Sequence, residues 1–254
     1  MKGSEFATKR LQAERNAKSH IDQVLSEAAV SIAQQAAGIT IVSSEAMFAS
    51  LIKVRAELVI SEAMDEINSY IKAYSKAAIS VLGDKDTGAT GRLLNSELFG
   101  KTFMERSETY MQYFFHDVLK IIIAGKRLKM KQSQIVEAVR QQYSAPYATG
   151  GLIDQARRKG FQTIVPSYGR GIYHCAFDNI VRNAQGTIAI AWGKEDRNKA
   201  RRDGAAGFIV FRGSDYDCPT CDGEVNKGIH HIDDEMPPYH VNCCCFVEYV
   251  YGTE

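Results

Sequence analysis

The sequence predicts an α+β protein, predominantly α-helical, with long N-terminal helices, a helical middle and a small C-terminal β-hairpin that carries a cysteine/histidine module. Three observations lead there. No proline precedes Pro146, so nothing in the first 145 residues interrupts a helix by removing a donor and clashing with the preceding turn. Apolar residues recur at three-to-four spacing through that stretch. From about residue 206 the texture changes to short alternating apolar runs and clustered cysteines.

The first helix is drawn by Ala17, Ile21, Val24, Leu25, Ala28, Ile32 and Ala36, one apolar stripe that Gly38 ends. Ser44 is placed to cap a second helix, with Glu45 in its first turn, and Ile60, Met64, Ile67, Ile71, Tyr74, Ala78 and Val81 hold its register. The loop from Gly83 to Gly91 marks a domain boundary, giving a helical N-terminal arm over 1–91 and a second domain over 92–254, helical to 205. A third helical block runs from Arg92 to Lys131 with a break near Gly100, and Tyr110, Phe114, Val118, Ile121 and Ile122 form its core face. Ser133 caps a short helix to Tyr143 with Val136 and Val139 inward, and residues 144–151 form a loop. A further helix covers Gly171 to Ala200 although Gly186 and Gly193 each cost it about 1 kcal/mol against alanine. Residues 207–212 and 245–251 read as strands either side of the cysteines.

Composition narrows the function classes. The chain has 254 residues, 45% hydrophobic and 24% charged, with a net charge of +1. That balance gives no global attraction to nucleic acid or membrane. No apolar run approaches the roughly 20 residues that cross a bilayer, so no membrane partner is expected. Met1-Lys2 leads into Gly3-Ser4-Glu5-Phe6 and charged residues rather than an export signal. The Gly3–Phe6 tetrapeptide is also what adjacent cloning sites encode, and it carries no weight here.

Five of the six cysteines fall between Cys218 and Cys245, which argues against a disulfide framework spread over the fold. Cys218 and Cys221 flank two residues, and eighteen residues separate Cys221 from His240, which is followed by Cys243, Cys244 and Cys245. Two donor pairs at short spacing, joined by a loop, suit a tetrahedral zinc ion. The expected ligands are Cys218, Cys221, His240 and Cys243, with Cys245 in reserve because alternate residues of an extended segment share a face; Cys244 then points away. Such a zinc is structural, since four protein donors leave no position for water. Reduced thiols without metal are the other reading of the same residues. His230 and His231 are spare donors or loop histidines. Pro219 and Gly223 predict a turn at the first cysteine pair, which speaks against a thiol oxidoreductase, a chemistry that wants a helix N-terminus there.

The stretch Pro237-Pro238-Tyr239-His240-Val241-Asn242-Cys243-Cys244-Cys245 resembles the end signature of phage Mu F-like minor head proteins, which reads His-Pro-Asn-Cys-Arg-Cys after an aromatic or proline-rich lead and follows a Cys-x-x-Cys element. Residues 165–174 with the helix after them, and 125–143, resemble earlier segments of that family, so the resemblance covers about 125–254. Val241 stands in place of the usual proline and Cys244 in place of the arginine. Gln185-Gly186-Thr187 stands where the family's central helix often carries Arg-Thr-Glu; any polar network or activity which that trio serves in relatives is absent here. The resemblance implies a non-enzymatic head morphogenesis protein. Such a protein is carried in few copies inside the procapsid, bound to the portal beside scaffold or major capsid protein, and is sometimes delivered with the DNA. Its place is the virion interior, and the bacterial host cytoplasm during assembly.

Two surfaces are open to more than one reading. The arm's alanine-rich stripe either packs back on this chain or offers a docking surface to portal or scaffold. Two basic groups, Lys126 and Arg127, and Lys194, Arg197, Arg201 and Arg202, either meet packaged DNA phosphates or form solvated faces balanced by nearby acids. A zinc-dependent nucleic-acid-binding or nuclease module, drawing on His230, His231, His240 and Asn242, is the rival function. A zinc deaminase is set aside because no His-x-Glu precedes the cysteines.

Overall fold

A computed structural model describes residues 1–40, 44–98, 100–162, 175–240 and 243–252. Its helices are α1 (Gly3–Ala37), α2 (Glu45–Leu82), α3 (Ala89–Leu94), α4 (Phe103–Arg127), α5 (Gln132–Gln142), α6 (Leu152–Arg158), α7 (Ala176–Arg202) and α8 (Pro219–Asn226). Its strands are β1 (Glu97–Leu98), β2 (Lys101–Thr102), β3 (Ala205–Phe211), β4 (Ile229–His231) and β5 (Phe246–Tyr251). The protein is α+β and predominantly helical, with a small antiparallel sheet near its C-terminal end.

Helix limits follow local chemistry. α1 stops at Ala37, before Gly38. Ser44 caps α2 through its hydroxyl, which accepts the Met47 N–H at 3.1 Å. The expected break near Gly100 is the β1–β2 hairpin, so the single block expected over 92–131 is two helices, α3 and α4. Lys131, not Ser133, is the N-cap of α5, where Gln134 reaches back to its N–H. Ile135, Ala138 and Val139 are the buried residues of α5, and Val136 is only half-buried. α7 is described from Ala176; Gly171–His174, which the sequence also assigned to it, lie outside the described residues, as do Val241 and Asn242.

The chain divides into two compact units, each built from separated stretches. Unit 2 comprises His20–Asn68 and Met104–Val181. Its core takes Ile21, Leu25 and Ile32 from α1, Ile52 and Ile67 from α2, and Phe114, Phe115 and Leu119 from α4. Helices close up where Gly125 of α4 leaves no room for a Cβ: one there would lie 2.8 Å from the Ile135 side chain and 3.3 Å from Leu152. Lys126 bonds the carbonyls of Ala37 and Ile39, Arg127 pairs with Glu45, and the Tyr143 hydroxyl donates to Asp22 at 2.7 Å. Within this unit the arm helices therefore pack back on the chain.

Unit 1 comprises Met1–Ser19, Ser69–Phe103 and Arg182–Glu254. Trp192 of α7 is its largest buried side chain; its ring sits 5.2 Å from Phe6, and its Nε1–H donates to the Tyr74 carbonyl at 2.8 Å. α3 has no side-chain cap of its own. Glu195, buried on α7, supplies one by accepting the Thr90 N–H at 3.0 Å and its hydroxyl at 2.7 Å. The sheet has the order β4-β3-β5 with both pairings antiparallel, so the expected two-stranded hairpin gains a third strand.

Asp196 of α7 accepts the Tyr249 hydroxyl of β5 at 2.8 Å. Burial is the main influence on its carboxyl, which is pushed up to about 6 from 3.8. Between these values the folded chain holds a proton that the unfolded chain has released, so this group's contribution to stability falls as pH rises through that window. Asp196→Asn keeps an acceptor for Tyr249 and removes the buried charge. It should raise the Tm above pH 6 and leave it almost unchanged near pH 4, as thermal melts across that range would read.

Candidate metal centre

The cysteine/histidine module is built on the sheet. β3 runs out at Phe211, and the chain then passes so close to the second cysteine stretch that a Cβ on Gly213 would overlap the Cys244 carbonyl oxygen. Arg212 bonds both the Asp222 carboxylate and the Tyr216 carbonyl, tying this loop to α8. Cys218 is the N-cap of α8 in extended conformation, Pro219 occupies the first turn, where a missing N–H costs nothing, and Cys221 follows in that turn. The turn expected at this pair is therefore a helix N-terminus: proline at N1 starts a helix, and Gly223 is tolerated inside it. The Cys221 N–H is the leading influence on the Cys218 thiol and holds it below its ordinary value.

His240 and Cys243 arrive from the other side, with the Cys243 N–H bonded to the His240 carbonyl at 3.2 Å. The His240 Nε2 lies 3.3 Å from the Cys218 Sγ and 3.0 Å from the Cys221 Sγ, and the Cys221 and Cys243 sulfurs are 3.8 Å apart. Two groups of donor atoms result, each within 4.8 Å: Cys218, Cys221 and His240, and Cys221, Cys243 and Cys245. Cys221 belongs to both. All four expected ligands and the reserve Cys245 are brought together, and Cys244 is in neither group.

The donors fit a metal ion. Bond lengths of about 2.3 Å to sulfur and 2.0–2.1 Å to nitrogen in a tetrahedron put sulfurs about 3.8 Å apart and a sulfur about 3.5 Å from a nitrogen. The 3.8 Å sulfur–sulfur spacing matches that edge and the two sulfur–nitrogen spacings are shorter than theirs, while the donors form two groups of three that share Cys221 rather than one group of four within 4.8 Å. Burial raises the Cys221 thiol to about 12. Cys245 gives its hydrogen bond to Cys243, which lowers the Cys243 thiol and raises that of Cys245. Closely packed sulfurs cannot all ionise unaided; a cation at their centre makes that possible. A bare dithiol for redox exchange is a poorer description of Cys218 and Cys221, because three further donors crowd the pair.

Two residues that carry this site were not picked out in the sequence. Arg10 and Glu14 of α1 are 4% and 6% exposed. The Arg10 guanidinium donates to the Cys243 carbonyl at 2.7 Å, and its Nε lies 3.3 Å from Glu14 Oε1 without hydrogen-bonding geometry. Burial, more than Arg10 offsets, lifts the Glu14 carboxyl to about 7. Their signal was positional: they stand at i and i+4 where the stripe through Phe6, Ala7, Ala13 and Ala17 would place apolar residues.

The remaining candidates are placed as follows. His230 lies on β4, stacked on Phe208 at 4.9 Å, and its Nε2–H donates to the Glu224 carbonyl at 2.8 Å. It is a buried structural residue, not a loop histidine. His231 is exposed and accepts the Asp233 N–H at 3.2 Å. Among the basic residues, Arg201 pairs with Asp233 and Arg202 with Asp84, Arg197 Nε meets the Met236 sulfur at 3.1 Å, and Lys194 is exposed. Lys126 and Arg127 are occupied as described above. Acids and carbonyls thus already hold most of the charge that a phosphate would need.

Comparison of the chain with family models, with curated proteins and with solved structures found no match to any of them.

Cys221→Ser, which breaks both donor groups, should lose more bound metal than Cys245→Ser or His240→Ala, and Cys244→Ser should lose none; inductively coupled plasma mass spectrometry of each purified variant checks the order. Arg10→Met should destabilise the chain by about 3–5 kcal/mol, because Glu14 is left buried without its partner. The double variant Arg10→Met/Glu14→Met should recover much of that loss in a urea melt.

Proposed function

We propose that this chain is a minor head protein of the phage Mu F-like kind, a non-enzymatic component of the procapsid interior that binds the portal and whose C-terminal module is closed by one structural zinc ion. The observation that carries the metal half is the clustering of donors from two stretches of chain into two groups that share Cys221, one with Cys218 and His240 and one with Cys243 and Cys245. Thiolate-rich sets with one imidazole favour zinc among the divalent ions, and a closed set of four protein donors leaves no water to activate. The end signature around His240 and Cys243 carries the phage half.

A portal or scaffold contact is supported by α2. Its inward face is Phe48, Ile52, Ala56 and Ile60, yet Met47, Leu51, Val54 and Leu58 stand at alternating four- and three-residue spacing on the opposite side and are 44–72% exposed. That spacing is the seam of a two-helix pairing. Packaged DNA is a weaker partner, given the ion pairs of the basic residues. The nuclease alternative loses a histidine, since His230 is stacked and bonded inside the module.

The test is co-sedimentation of the full chain with procapsids assembled with and without portal. The chain should travel with portal-containing particles, and Leu51→Lys/Leu58→Lys should reduce its recovery at least tenfold with an unchanged circular dichroism spectrum. Equal recovery on both kinds of particle, or none on either, would overturn the reading.

A further inference from the structure

The outer stripe of α2 is complementary to itself. Met47, Leu51, Val54 and Leu58 are 44–72% exposed. Ser44 and Ser61, both exposed, extend the same three-and-four spacing at either end, and the exposed Asp65 stops it. At 100° per residue, one flank of the stripe carries Ser50 and Glu57 and the other carries Arg55 and Glu62, all four exposed. Two such helices set antiparallel, with the two-fold axis at residues 52 and 53, place Leu51 of one copy on Val54 of the other. Met47 then meets Leu58, and Ser44 meets Ser61, so every apolar position faces an apolar one and serines close both ends. In that arrangement like flanks face each other, and Glu57 lies against Ser50 with no like charges opposed.

The other arrangements are worse. A parallel pair brings opposite flanks together and sets Glu57 against Glu62. An antiparallel pair shifted by one heptad puts Met47 on Asp65, Glu57 on Glu57 and Arg55 on Arg55. The stripe exposes roughly 400 Å² on each copy, and a pair with its flanks covers roughly 1,000 Å², the lower end for a specific interface and suited to a reversible one. We infer that α2 pairs with α2 of a second copy, antiparallel about residues 52 and 53, and that the free chain is a reversible dimer with its apolar stripe covered. The inference rests on the portal reading in one respect only: a portal or scaffold helix at the same stripe takes the place of the second copy.

The experiment is sedimentation equilibrium of the full chain over a hundredfold range of micromolar concentrations, with no other protein present. The chain should pass from monomer to dimer. Leu51→Lys/Leu58→Lys should be monomeric throughout, with an unchanged circular dichroism spectrum. Ser50→Lys reads the orientation. In the antiparallel pair it sets an ammonium against Glu57 at two places and should tighten the dimer at least threefold. In a parallel pair it meets Arg55 and loosens the dimer. A monomer at every concentration, a dimer that survives Leu51→Lys/Leu58→Lys, or a Ser50→Lys dimer that is not at least threefold tighter would each sink the inference. Procapsid recovery of the same samples keeps the two readings apart. A monomer that travels with portal-containing particles counts against the pairing alone, and a dimer that does not travel counts against the portal contact alone.

Discussion

One guanidinium, that of Arg10, organises the end of unit 1. It comes from the first turns of α1 and is spent on the backbone oxygen of Cys243, with Glu14 beside it to balance the charge. A buried cation of this kind adds little net stability when it is well paired, but it is very costly to misplace. Its effect is therefore to specify position: α1 has one register in which both the guanidinium and the carboxylate avoid isolation. The neighbouring contacts follow from that register. Gly3 passes against the Val247 backbone, Phe6 meets Trp192, and Gly193 of α7 comes near the Pro237 carbonyl.

The cysteines serve the module twice. Cys221, Cys243 and Cys245 join Phe208, Val210, Met236 and Val247 in a single buried cluster. In a sheet of three short strands such a cluster is too small to hold its shape by apolar burial alone. Donor atoms inside it let an ion supply what the packing lacks, since binding free energy at a site absent from the unfolded chain is folding free energy. Without an ion most of the same sulfurs keep their protons, as the raised Cys221 and Cys245 thiols do, and the ion's contribution is lost. An ion bound there would form one folding unit with the module.

Much of this was legible in the sequence, for identifiable reasons. The long helices showed because their apolar stripes are uninterrupted, as from Ala17 to Ala36, and because proline is absent there. The donor set showed because its members come in tight pairs, Cys218 with Cys221 and His240 with Cys243. What stayed hidden was whatever depends on a partner far along the chain. β4 is three residues long and carries no alternation of its own; it is a strand because β3 offers it an edge. Glu195 caps α3 from 105 positions away. Arg10 and Glu14 look like an ordinary surface pair until their place on the buried stripe is noticed. At Pro219 the local signal was present but ambiguous, since a proline that can open a turn can equally open a helix.

Unit 1 is assembled from residues 1–19, 69–103 and 182–254. A growing chain leaves the ribosome in that order, at about 5–20 residues each second. Arg10 therefore emerges long before Cys243, its acceptor 233 positions later. Unit 2, whose last residue is Val181, has all its parts available earlier. The opening turns of α1 spend most of translation with a cation and an acid whose native neighbours do not yet exist. A nascent protein of this design matures from the middle outwards, and a ribosome that stalls after Val181 would release a chain with one half complete and the other missing the surfaces it folds against.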